Sequence, residues 1–104
     1  MSQTLQQNKE FLHLLLNTSK NQAVALLFTI TKSQLDLLTE ILFNLLQLPL
    51  PLKAQRIVRK NQKVLEAISR KQTPQSKKQS LIKKHYRNIL LLLWAVKNQL
   101  ETLQ

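Results

Sequence analysis

The chain has 104 residues, no cysteine, no glycine and a formal net charge of +11. Without cysteine, disulfides and thiolate metal sites are excluded. Without glycine, phosphate-cradling loops, nucleophile elbows and dinucleotide-binding turns lose the residue they need, and hairpin-rich β structure is disfavoured. Leu, Gln and Lys dominate the composition, and these are helix formers. The length suits one all-α domain, 1–104, with a core of its own.

Five helices are predicted, over residues 9–17, 20–30, 32–48, 52–71 and 77–102, packed as one compact bundle. Asn8 precedes "KEFLHLLL" and reads as the first N-cap. "SKNQ" (Ser19 to Gln22), "TKSQ" (Thr31 to Gln34) and "SKKQ" (Ser76 to Gln79) each place a hydroxyl three residues before Gln. That spacing is the capping box, in which two side chains satisfy each other's orphan backbone donors. "SKNQAVALLFTI" and "TKSQLDLLTEIL" look alike, and reuse of the same cap accounts for it. Leu35, Leu38, Leu42, Leu45 and Leu46 follow helical spacing, which makes the third predicted helix a central core element. Pro49 and Pro51 stop that helix and open the next, and "QTPQS" (Gln72 to Ser76) breaks the chain again.

Charge divides the chain. Residues 1–52 are neutral, and residues 53–104 carry the whole excess. In the fourth predicted helix Ala54, Ile57, Val58, Val64, Leu65 and Ile68 gather on one face at about 100° per residue. Arg56, Arg59, Lys60, Lys63, Arg70 and Lys71 gather opposite. An ordinary solvated face mixes signs, whereas here only Glu66 offers an i, i+4 counter-charge, toward Arg70. Like charges at this density point to a polyanion.

The last predicted helix spaces Ile82, Tyr86, Ile89, Leu93, Val96, Leu100 and Leu103 as a heptad seam. Lys83, Lys84 and Arg87 lie off it. Leu90, Leu91 and Trp94 cover further faces, so one side is expected on the chain's own bundle. Tyr86 at the seam, with Leu91 and Trp94, is expected to meet a second copy or a partner. Lys77 and Lys78 in the first turn oppose the helix dipole unless an anion sits there with them. The run Ile89 to Val96 has eight apolar residues, against the roughly 20 that span a bilayer; an interfacial helix is the membrane alternative.

Chemistry has few candidates. His13 within "FLHLLL" reads as a packed histidine, and His85 as an extension of the basic face. Asp36 and Glu40 form an i, i+4 acidic pair that reads as a surface facing a basic partner. No catalytic residue, metal ligand or cofactor is assigned, and no enzyme is expected.

The segments "ITKSQLDLLTEILFNLLQLPLPL" (Ile30 to Leu52) and "SRKQTPQSKKQSLIKKH" (Ser69 to His85), with the Lys/Arg helix between them, carry a resemblance. They resemble small basic proteins of Polinton/Maverick-type elements and related invertebrate DNA viruses. Those proteins are similar in having a leucine-rich helix, a basic stretch and a lysine cluster before an apolar tail. Members often carry Gly-Gly before the tail, and "RNILLLL" has none, which favours a continuous helix here. The resemblance implies a small viral or mobile-element protein associated with the virion.

Together these readings predict a non-enzymatic protein that self-associates, as a homodimer or higher oligomer, and binds nucleic acid, duplex DNA first. The contacts would be sequence-tolerant, because cations on phosphates position without reading bases. Arg56, Arg59, Lys60 and Lys63 lead, then Arg70, Lys71, Lys77, Lys78, Lys83, Lys84 and Arg87. The first ten residues are polar, with no apolar run of a secretory signal. The expected setting is therefore intracellular, in a host nucleus or a virion. Two alternatives stand beside this reading: a helical protein-interaction module of the death-fold or Bcl-2-like kind, and a membrane-active amphipathic protein.

Overall fold

In the computed structural model, which describes residues 3–102, the chain is all-α. Nine helices stand among the described residues: α1 Gln3–Gln7, α2 Lys9–Asn17, α3 Lys20–Phe28, α4 Lys32–Gln47, α5 Leu52–Lys60, α6 Gln62–Ser69, α7 Gln75–Lys84, α8 Tyr86–Ala95 and α9 Lys97–Glu101. The count of five is corrected in two ways: α1 precedes the first predicted helix, and the two long predicted helices divide into five shorter ones. At 1.5 Å per residue, a helix over 77–102 would be about 39 Å long and one over 52–71 about 30 Å. The molecule measures only 29 × 29 × 28 Å. A chain with so much leucine gains more by folding back than by extending, so the long helices bend.

They bend at single residues. Asn61, His85 and Val96 take φ/ψ of −125/21°, −117/26° and −113/20°, in the sparsely allowed bridge region. The hydrogen-bond ladder resumes at once on each side: Leu65 N–H donates to Asn61 O and Ile89 N–H to His85 O. At Asn61 the side chain fixes the bend. Its Nδ2 donates to Ile57 O at 2.8 Å, and its Oδ1 accepts from Asn88 Nδ2 at 3.0 Å. Asn8 makes a similar corner between α1 and α2. It makes no cap bond; its Nδ2 donates to Thr4 O and to Ser33 Oγ, both at 2.9 Å. The expected N-cap is thus a clamp that ties the α1–α2 corner to the start of α4.

The predicted caps divide. Thr31 and Gln34 form the full box, with Gln34 N–H on Thr31 Oγ1 at 3.2 Å and Thr31 N–H on Gln34 Oε1 at 3.0 Å. Ser19 makes half of one, since Gln22 turns its side chain to Thr18. Ser76 caps nothing: Pro74 sets the entry and α7 begins at Gln75, consistent with proline's preorganised φ at helix starts.

α4 is the centre. Leu35, Leu37, Leu38, Ile41, Leu42 and Leu45 are all buried, and α4 packs on α1, α6 and α7. α5 packs on α8, α3 on α2, α7 and α8. The seam residues Ile82, Ile89, Leu93, Val96 and Leu100 are buried in this chain's own core, so they do not form an intermolecular coiled coil; Leu103 lies outside the described residues. No single described helix is long and apolar enough to cross a membrane. α4 and α5 would pass only as a pair, and they meet at 112° across the two prolines.

Candidate nucleic-acid interface

Amphipathic spacing orients the basic residues of α5 and α6. Ala54, Leu65 and Ile68 are buried, and Ile57, Val58 and Val64 are half-buried. Lys53, Arg56, Arg59, Lys60 and Lys63 are therefore turned outward and exposed, as are Arg70 and Lys71 just past the end of α6. On the next two helices Lys77, Lys83, Lys84 and Arg87 are exposed as well. α5 touches α6 and α8, α6 touches α7, and α7 touches α8, so the cations rise from four neighbouring helices. Among the described residues Arg70 is the only Lys or Arg in an ion pair, with Glu66 at 3.5 Å.

Helix ends account for part of this pattern. Arg59 and Lys60 fill the last turn of α5, and Lys83 and Lys84 the last turn of α7. There they complement the negative end of the helix dipole. The bend at His85 creates the second of these ends. His85 itself is half-buried at that bend, so it is a corner residue more than an extension of the basic face.

Lys78 departs from its expected place. It is only 6% exposed, and its Nζ donates to Thr39 Oγ1 on α4 at 3.0 Å. Burial lowers its pKa below the usual lysine value, partly offset by the nearby Asp36 carboxylate. The reason is periodicity: Lys78 precedes the buried Ile82 by four residues, so it continues the inward stripe of α7. Lys77, one residue earlier, faces out alone. The two-lysine grip on an anion at this helix start is not assembled.

The expected contact residues of the last helix also separate. Leu91 is 45% exposed. Trp94 is half-buried and its Nε1–H donates to Leu15 O at 3.1 Å, which ties α8 to α2. Tyr86 is half-buried, edge-on to Phe28 with centroids 5.6 Å apart. The Arg87 guanidinium lies 5.7 Å over the Tyr86 ring, and its Nε donates to Tyr86 Oη at 3.2 Å. His13 is exposed rather than packed, within 3.4 Å of Asn17 Nδ2.

A cleft of about 1220 Å³ opens beside α4 and α6, and sequence reading did not single it out. Asp36, Thr39, Glu40 and Phe43 of α4 line it, with Glu66 and Arg70 across from them and Lys78 from α7. The acidic pair Asp36 and Glu40 thus borders a concave site. The available signal was the polar gap at Asp36, Thr39 and Glu40 on an otherwise apolar helix. Compared with known proteins, the chain matches no family model, no curated protein and no solved structure.

Proposed function

We propose that this is a non-enzymatic basic protein of a virus or mobile element that binds nucleic acid through its phosphates and self-associates, as a component of a virion or its core. The observation that carries the reading is the state of the cations. From Lys53 to Arg87 every Lys and Arg except Lys78 is exposed, and among them only Arg70 has a carboxylate partner. Unpaired charges of one sign on adjoining helices repel one another and are relieved by a polyanion. Arg56, Arg59, Lys60 and Lys63 are the principal contacts, followed by Arg70, Lys71, Lys77, Lys83, Lys84 and Arg87. Lys78 leaves the set because its ammonium is occupied inside. Duplex DNA is favoured over single strands: the one aromatic among these cations, Tyr86, is half-buried against Phe28, which leaves little surface for base stacking.

Self-association is assigned to the exposed Leu91 of α8. Tyr86 and Trp94 are half-buried and engaged with Phe28 and the Leu15 carbonyl, so Leu91 leads the contact.

The test is the affinity for a labelled mixed-sequence duplex across a salt series. Log K should fall with log salt at about −0.9 per phosphate contacted. Replacing Arg56, Arg59, Lys60 and Lys63 by Gln should flatten that slope with the helical signal unchanged. Absence of binding at low salt would end the nucleic-acid reading. Leu91→Asp should leave a monomer that still binds; an unchanged oligomeric state would remove Leu91 from the contact.

A further inference from the structure

One face of α4 runs the length of the cleft. Asp36, Thr39, Glu40, Phe43, Leu46 and Gln47 line it, across about 16 Å of helix axis. The face is graded. Its first half offers carboxylates and a hydroxyl, its second half a phenyl ring and a leucine. Phe43 is 52% exposed, unusual for an aromatic on the central helix. Leu46 and Val58 continue from the cleft into a smaller groove of about 220 Å³ with Leu48, Pro49 and Leu50. The apolar half is therefore a trough that leads to the turn between α4 and α5.

The polar end holds a pair of groups with donors to spare. An ammonium carries three N–H donors, and Lys78 spends one on Thr39 Oγ1. Among the described residues the other two have no acceptor within hydrogen-bond reach. The Thr39 hydroxyl accepts from Lys78, so its own proton remains available. Burial of the ammonium is costly and the nearby Asp36 carboxylate offsets it only in part; an anionic oxygen placed between Lys78 and Thr39 would relieve the rest.

We propose that this cleft binds a small amphiphile with a single carboxylate on a hydrocarbon body. The carboxylate accepts from Lys78 Nζ and Thr39 Oγ1, and the hydrocarbon lies on Phe43, Leu46 and Val58. The neighbouring acids set the head group. Asp36 is exposed, Glu40 lines the same wall and Glu66 faces Arg70, so a single added negative charge meets screened or paired carboxylates. A phosphate, with close to two charges, would face Asp36, Glu40 and Glu66 together. Arg70 and Lys71 border both the cleft and the exposed cationic surface, whereas Arg56, Lys60 and Lys63 belong to that surface and not to the cleft wall.

Calorimetric titration of the full chain with decanoate, decanol and decylamine, below their aggregation concentrations, tests this. Decanoate should bind saturably at one site and at least tenfold more tightly than either companion. Amide shifts in an NMR titration should centre on Thr39 and Phe43. Lys78→Met should weaken decanoate at least tenfold. Phe43→Glu, at an exposed position that leaves the core intact, should do the same. The variant with Arg56, Arg59, Lys60 and Lys63 changed to Gln should keep its decanoate affinity. The proposal is overturned if Lys78→Met or Phe43→Glu binds decanoate within twofold of the parent. Equal binding of decylamine, or loss of binding in the four-site charge variant, would overturn it too, since the site would then be acidic or the exposed cationic surface.

Discussion

α4 and the pair α5–α6 are both amphipathic in sequence, yet they serve the fold differently. α4 buries leucines around most of its circumference and leaves mainly one graded face toward the cleft. α5 buries Ala54 alone and half-covers Ile57 and Val58, while Arg56, Arg59 and Lys60 stay in water. Both halves of the chain supply the core, the basic half chiefly through Ile82, Ile89, Leu92 and Leu93, while the exposed excess charge comes from the basic half alone. Surplus charge accumulates where burial is least demanding. Lys78 is the exception that marks the border between the two.

The contrast can be broken most directly at its centre. Leu42 is fully buried on α4, and Leu42→Ala should cost about 3 kcal/mol of stability in denaturant titration, through lost transfer energy plus a cavity. Arg56→Ala on α5 should stay within about 0.5 kcal/mol. A similar cost at both positions would mean that α5 is as structural as α4.

The bend at Asn61 comes next. Asn61→Ala removes the bond to Ile57 O and leaves Asn88 without its partner. The expected loss is about 1–2 kcal/mol. If stability rises instead, the preference of residues 52–69 for a continuous helix outweighs the clamp. Thr31→Ala should cost about 1 kcal/mol by removing the capping box that Thr31 forms with Gln34, read as a lower thermal midpoint. Ser76→Ala should change little, because Ser76 caps no helix.

Lys78 gives the most specific effect, because it depends on pH. In the folded chain its pKa lies below its ordinary 10.5. Between the lowered value and 10.5 the unfolded chain holds a proton that the folded chain has released, so stability rises with pH across that window. The destabilisation is complete below the lowered value and gone above 10.5. Lys78→Met should therefore be more stable than the parent at pH 7, with the gap closing as pH rises toward 10.5. Taking the difference between the two proteins cancels the titration of the other lysines. A gap independent of pH would show that the ammonium is not strained by burial.

Much of the architecture was legible because local chemistry is decisive where it is unopposed. Prolines 49 and 51 end α4 and open α5 as expected, and Thr31 with Gln34 starts α4 as its spacing requires. Asn61, His85 and Val96 were not legible as corners. Each is tolerated inside a helix; the need to fit residues 77–102 into a 29 Å body accounts for His85 and Val96, and the bond to Asn88, 27 residues away, accounts for Asn61. Among the cations, outward placement followed from amphipathic spacing, and the stripe through Ile82 already points Lys78 inward. The cleft was not legible, since its walls come from α4, α6 and α7, which are brought together only by packing.

The amino-acid sequence by itself determined the all-α class, the neutral and basic halves, the α4 core stripe and the outward face of Arg56, Arg59, Lys60 and Lys63. These follow from propensity, periodicity and charge, which act within a few residues along the chain. Tertiary structure decided where the long helices bend and that the heptad-spaced seam lies inside one chain. It also decided that Trp94 is bonded to Leu15, and that Lys78 meets Thr39 beside an open cleft. Those outcomes depend on contacts between residues far apart in sequence, where burial in a common core outweighs local preference.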